Sequence, residues 1–190
     1  MKLYRSDGSP FARKVRVVLA ELGLPHEEDV ENGLRPTSGE LGPTLSIPVL
    51  EDGGVRLWES DLIIDYLLKT YPEAAARASG SPKLAPALAR PDRYWHDMTV
   101  LATIHTCASS VVSLRLMAND GISPENSDYM ARQRDRIDRC LDWLETQVTD
   151  DGFAPGWFSI QDIDFICPMD FSEKRGMVAW RGRRKPDALF

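Results

Sequence analysis

The chain has 190 residues, 43% of them hydrophobic and 27% charged, with a formal net charge of −6. Such a composition suits a globular chain with core enough for one large domain or two small ones, and the negative charge argues against a general nucleic-acid binder. No apolar run approaches the ~20 residues that span a bilayer, and no apolar signal segment opens the chain, so the sequence reads as cytoplasmic and without membrane association. Cys107, Cys140 and Cys167 are odd in number, widely spaced and without a CxxC pair. They read as packed thiols of a reducing compartment.

In chain order, Met1–Arg5 is predicted as a short strand and Ser6-Asp7-Gly8 as a turn. Pro10 suits the first turn of a helix, where a missing N–H costs nothing. Val15, Val18, Leu19 and Leu22 recur at i, i+3, i+4 and i+7 and give that helix a buried face. Gly23 caps it and Pro25 stops it. Ser9 therefore lies at the positive end of a helix, which favours negative charge by roughly 0.3–1 kcal/mol. A bound anion and a purely structural Ser-Pro N-cap are written in the same letters.

His26–Glu31 is a weak, acidic strand candidate. Residues 32–46 read as a loop with an irregular helical turn near Thr37–Leu41. Ile47–Glu51 and Val55–Trp58 read as two strands joined at Asp52-Gly53-Gly54. Pro48 cannot donate within a central strand, and a cis Ile47–Pro48 bond just before the strand resolves the conflict. Glu59-Ser60-Asp61 opens a helix with Leu62, Ile63, Tyr66 and Leu67 on its apolar face, ended by Tyr71-Pro72. The first half thus spells β-α-β, loop, β-β-α. Ala74–Pro91, with Gly80, Pro82 and Pro86, reads as a proline-stiffened linker, which gives domains at 1–73 and 91–190 with 74–90 between them.

Beyond the linker the apolar period is helical. Val100, Ile104, Cys107, Ala108, Val111, Leu114 and Ala118 form one stripe, ended by Asn119-Asp120-Gly121. Ser123-Pro124 is predicted to start a second helix, with Met130, Ile137, Leu141, Leu144 and Val148 buried. Its other face, Arg132 to Arg139, reads as solvated charge, and Asp151-Gly152 as its break. Ser159-Ile160-Gln161-Asp162 has capping-box spacing, with Phe158 and Ile163 as a hydrophobic staple. Pro168 is expected to kink or stop that third helix. His96, His105 and Cys107 are spaced onto different helix faces, so no metal ligand set is read from them. Tyr94, Trp95, Met98 and Thr103 read as packing residues more readily than as ligand contacts. The basic Arg181–Lys185 run reads as a solvated chain end.

Four of these pieces, in this order, resemble the glutathione S-transferases. They are Ser9-Pro10-Phe11 turning onto the first helix, Ile47-Pro48-Val49-Leu50, Glu59-Ser60 opening a helix, and the later Ser159-x-x-Asp162-Ile163 box. The resemblance implies an α/β thioredoxin-like N-terminal domain (βαβ-ββα), an all-α C-terminal domain that contributes the electrophile pocket, and a homodimer. It implies glutathione as co-substrate and a small hydrophobic electrophile as its partner in transfer. Carried over residue by residue, Ser9 takes the thiol-activating position, with Ser6 as the rival donor, and Phe11 belongs to the same turn. Ile47, before Pro48, offers its backbone to the cysteinyl unit. Ser60 binds the γ-glutamyl carboxylate, and Glu59 pairs with the γ-glutamyl amino group.

Ser9 and Ala12 stand where redox relatives of this fold carry Cys-Pro-x-Cys, which excludes dithiol chemistry at that turn. A thiol with an ordinary pKa of ~8.5 is mostly unreactive at neutral pH. A hydroxyl donated by Ser9 favours the thiolate, and the sulfur rather than the serine attacks. Ser46 stands where many relatives carry Lys, and the chain stops near where they add a further helix. Two rival functions remain at this point. One is a non-catalytic glutathione-binding scaffold, and the other is a glutathione-dependent reductase, dehalogenase or isomerase.

Overall fold

A computed structural model describes residues 1–30, 40–77, 90–156, 158–178 and 180. The chain divides into two compact units, Met1–Pro82 and Lys83–Phe190.

The first unit runs β1 (Lys2–Tyr4), α1 (Pro10–Glu21), β2 (Glu27–Asp29), β3 (Val49–Asp52), β4 (Val55–Trp58), α2 (Ser60–Thr70) and α3 (Pro72–Arg77). Its four-stranded sheet has the order β2-β1-β3-β4. β1 and β2 are parallel, a pairing that needs a crossover, and α1 is that crossover. The other two pairings are antiparallel. β3 and β4 are joined through Gly53 and Gly54 at φ 55° and 87°, the left-handed pair that a two-residue hairpin loop demands. Pro48 precedes β3 and no ladder bond is asked of it. The acidic strand β2 is held by cations: Glu28 accepts from Nε of Arg5 at 2.6 Å and of Arg16 at 2.7 Å, and Lys2 meets Asp29 at 2.8 Å.

Val15, Val18, Leu19 and Leu22 are buried on α1 as their spacing predicts. The face of α2 departs from expectation. Leu62 is 50% exposed, whereas Ile64 is 4% exposed and buried with Ser60, Ile63 and Leu67. Helical spacing counted from Ser60 gives that face, and counting from Leu62 misses it by half a turn. The expected linker also begins too early. Residues up to Arg77 continue as α3, with Pro72 at its first position and Ala74 buried, since proline is as good a helix opener as a helix stop. Residues 78–89 lie outside the described residues, as do the turn expected near Thr37–Leu41, apart from Glu40 and Leu41, and the Arg181–Lys185 run.

The described elements of the second unit are a 3-10 turn, Pro91–Arg93, then α4 (Tyr94–Asn119), α5 (Asp128–Glu145) and α6 (Ile160–Glu173). Its core joins Val100, Ile104, Cys107, Val111 and Leu114 of α4 to Met130, Ile137, Leu141 and Leu144 of α5 and Phe165 and Met169 of α6. Polar links cross the same seams: Ser110 to Gln133 at 2.9 Å, and His105 Nε2 to the buried Asp164 carboxylate at 2.6 Å. Residues Met98 to Leu114 carry no Asp, Glu, Lys or Arg, and α4 with its 3-10 turn is long and apolar enough to cross a membrane, contrary to the reading of the sequence. Here it supplies the central stripe of a helical core.

Three element ends differ from expectation. α5 starts at Asp128 because Ser127, not Ser123, accepts the first-turn N–H of Met130. The Ser123 N–H is instead taken by Asn126 Oδ1 at 2.8 Å, which makes 123–126 a turn. α5 ends at Glu145, before Asp151-Gly152. α6 passes through Pro168 to Glu173. One backbone bond is lost there, but Cys167, Pro168, Met169 and Phe171 are all buried, and burial of that length of helix outweighs one bond. The Ser159–Asp162 capping box is present on both sides. Ile163 is buried and Phe158 is exposed, so the staple residue does not join the core. Ala118 is likewise exposed, and Trp95 is 80% exposed rather than packed.

Candidate functional site

Sheet register places three chain segments at one end of the first unit. Tyr4 pairs with Val49, and Val49 pairs with Trp58. The turn to α1 follows Tyr4, Ile47–Pro48 immediately precedes Val49, and Glu59-Ser60 immediately follows Trp58. Tyr4, Val49 and Trp58 share a small apolar cluster with Leu41 under that end. α1 and α2 both start there, and Lys14 in the second turn of α1, buried, pairs with Asp61 in the first turn of α2. Two helix N-termini therefore open side by side, each with amide N–H groups beyond the reach of its own carbonyls.

Ser9 is the N-cap of α1, in extended backbone, and its Oγ accepts the Ala12 N–H at 3.2 Å. A hydroxyl that accepts with one lone pair still has its proton to donate. The structural cap and the donor function, opposed in the sequence, are compatible in one side chain. Ser9 is partly exposed, and Phe11 is partly exposed in the first turn of α1. Ser6 lies before the turn, where its carbonyl accepts the Ser9 N–H at 3.4 Å. It caps no helix.

Ile47 and Pro48 are joined by a cis peptide bond. Ile47 is partly exposed while Pro48 is buried. Ser46, where many relatives carry Lys, has its hydroxyl 2.7 Å from that of Thr44 and brings no positive charge. Glu59 is exposed, has φ 71° and gives α2 no side-chain cap. A non-glycine residue held in the left-handed region costs of order 1–3 kcal/mol and is concentrated at functional turns. Glu is not a residue that favours this region, so no letter in the sequence announces it. Ser60 is buried at the first position of α2. The Lys14–Asp61 pair was equally silent in the sequence, because its members are distant in the chain and ordinary in type.

The charged groups along the rest of the sheet are structural, Asp52 lying at its hairpin end, opposite Val55. Burial pushes the Glu28 carboxyl up, but the bonds from Arg5 and Arg16 outweigh it and hold it below the usual range. Tyr71 donates to Asp52, which with burial raises its pKa to about 12. Tyr66 donates to the same carboxylate at 3.1 Å.

The sheet order and the two helix starts define a thioredoxin-like domain, and the described elements of the unit that follows it are helices. Sequence comparison carries this further. Residues 3–82 match the sequence model of the glutathione S-transferase N-terminal domain. Glutathione S-transferase 1 of Manduca sexta is 32% identical to the chain, over 96% of it and 87% of the moth protein. An uncharacterised GST-like protein of Escherichia coli is 26% identical, over 90% of this chain and 81% of its own. In structure, a glutathione S-transferase of Methylobacterium radiotolerans, solved with glutathione sulfonate, superposes with a TM-score of 0.77 at 26% identity, over 98% of this chain and 85% of that one. The chain belongs to the glutathione S-transferase family.

Proposed function

We propose that the protein is a serine-type glutathione transferase, joining the tripeptide thiolate to small hydrophobic electrophiles by substitution or conjugate addition. The observation that carries the reading is the convergence of the Ser9 cap, the cis Ile47–Pro48 pair and the Glu59-Ser60 turn at one sheet end. Family membership and the glutathione derivative bound by the bacterial relative support it.

In this proposal glutathione lies extended across the first unit. The Ile47 backbone pairs with the cysteinyl unit as an added strand would. The γ-glutamyl carboxylate meets the Ser60 hydroxyl and the N–H groups at the start of α2, where the helix dipole favours an anion. Glu59 takes the amino group as an ion pair. Phe11 walls the turn beside the sulfur. Ser9 donates its hydroxyl proton to the thiolate while still accepting from Ala12. Each pKa unit of thiol lowering corresponds to about 1.36 kcal/mol of preference for the anion. The thiolate attacks the electrophile, a leaving group or carbanion takes the electron pair, and Ser9 is unchanged. The helical unit supplies side chains that select the electrophile. The protein acts as a homodimer in the reducing cytoplasm, in keeping with three cysteines outside any disulfide.

The test is conjugation of glutathione to a chloronitroaromatic acceptor by wild type, Ser9→Ala, Ser9→Thr and Ser60→Ala. A donated hydrogen bond to a charged group contributes about 1.5–3 kcal/mol, so Ser9→Ala should lose roughly tenfold or more in kcat. Ser9→Thr should keep much of the rate, and Ser60→Ala should raise the KM for glutathione. Retention on immobilised glutathione without turnover would instead identify a binding scaffold. Turnover only with disulfide or haloacid acceptors would place the reaction with the reductases or dehalogenases.

A further inference from the structure

The helical unit holds a thiol pair that the glutathione site does not use. Cys107 lies on the buried stripe of α4 between Ile104 and Val111, in the core shared with Ile137 and Leu141 of α5. Cys140, on α5 between those two residues, is half-buried and packs against the same core. The Cys140 side chain also lines two surface grooves. One, of about 460 Å³, is walled by Trp95, Met98, Thr103 and Thr106 of α4. The other brings Arg136 and Arg139 of α5 alongside it. Half-buried Cys140 thus borders two surface grooves, one of them shared with the stretch of α4 that carries the buried Cys107.

We propose that Cys140 is a peroxide-reactive thiol and that Cys107 resolves it to an intrachain disulfide linking α4 to α5. The Cys140 thiolate attacks one oxygen of a hydroperoxide, breaking the O–O bond and giving a sulfenic acid and the alcohol, or water when the oxidant is hydrogen peroxide. The Cys107 thiol then attacks the sulfenic sulfur, forming the S–S bond and releasing water. Two thiols and one hydroperoxide yield one disulfide, one alcohol and one water, with two electrons passing from sulfur to the peroxide.

The surroundings favour the first step. A hydrogen bond from the Cys107 thiol lowers the Cys140 pKa to about 7, against the effect of burial and with help from the positive charge of Arg136. A substantial thiolate fraction at neutral pH is what peroxide attack requires. The second step needs no diffusion, because Cys140 borders Thr103 and Thr106, on the turn of α4 that carries Cys107, and both thiols belong to one core. Cys167, buried on α6, serves as the internal control. Neither step involves glutathione.

The experiment treats the reduced full chain with stoichiometric hydrogen peroxide and follows intact mass and a peptide map. The expected result is a loss of about two mass units, the two thiol hydrogens, with one peptide containing Cys107 joined to Cys140. Dithiothreitol reverses it, and Cys167 stays alkylatable throughout. In Cys140→Ser, a change at a half-buried position, Cys107 should stay a thiol at the same peroxide dose. Oxygen addition at Cys140 without a cross-link would overturn the proposal. So would a disulfide between two chains, or three unreacted thiols in the wild type.

Discussion

In the proposed mechanism Ser9 serves two demands with one side chain. Its oxygen holds the first turn of α1 by accepting from Ala12, and its proton remains for a ligand. Ser9→Ala therefore removes both, with about 1 kcal/mol of helix-cap stability lost alongside activity. Ser9→Thr separates them: its melting temperature should stay near wild type while any catalytic loss is read from kcat. Tyr71 offers an independent test of the packing at the hairpin end of the sheet, where Asp52 ends β3. Its pKa is raised from 10.0 to about 12 by the bond to Asp52 and by burial. A raised folded-state value means the folded chain holds that proton more tightly than the unfolded chain. The stabilisation is thus fully present below pH 10 and is lost as the pH rises toward 12. The melting temperature of Tyr71→Phe should fall less steeply than that of wild type in that window. Equal slopes would contradict the assignment.

At the scale of elements, the start of α6 is a joint tied by several bonds to one carboxylate. Asp162 accepts the Ser159 N–H at 2.7 Å, the Ser159 hydroxyl at 2.6 Å and the Phe153 N–H at 3.0 Å. Gly152, at φ 91°, admits this approach: a Cβ there would lie 2.8 Å from Asp162 Oδ1. Asp162→Ala should cost about 3 kcal/mol, combining the lost cap with buried donors left unpaired. Gly152→Ala should destabilise as well, both by strain at positive φ and by displacing that carboxylate. Thermal denaturation checks both, and either variant melting as wild type would sink this view of the joint. The capping box was legible because Ser-x-x-Asp before an apolar run is a local code. The start of α5 was not, because Ser123 and Ser127 are equally good caps until Asn126 takes the first. Continuation of α6 through Pro168 was illegible too, since it depends on burial by the rest of the core. The face of α2 was misread because its stripe begins with Ser60, a polar residue buried by position.

For the whole molecule, the βαβ-ββα order and the helical second half could be read from period and turn chemistry. The meeting of Ser9, Ile47–Pro48 and Glu59-Ser60 could not, for it follows from register: Tyr4 opposite Val49, and Val49 opposite Trp58. Nor could the positive φ of Glu59 or the buried Lys14 that ties α1 to Asp61. Family likeness singled out those residues, and the sheet gives the physical reason they lie together. The decisive measurement is the ionisation of glutathione bound to the protein, followed by thiolate absorbance across pH in wild type and Ser9→Ala. Wild type should ionise the bound thiol well below the ordinary value of ~8.5, and Ser9→Ala should move the midpoint back up by about one unit or more. A bound thiol titrating as it does in free solution, or a midpoint indifferent to Ser9, would contradict the account.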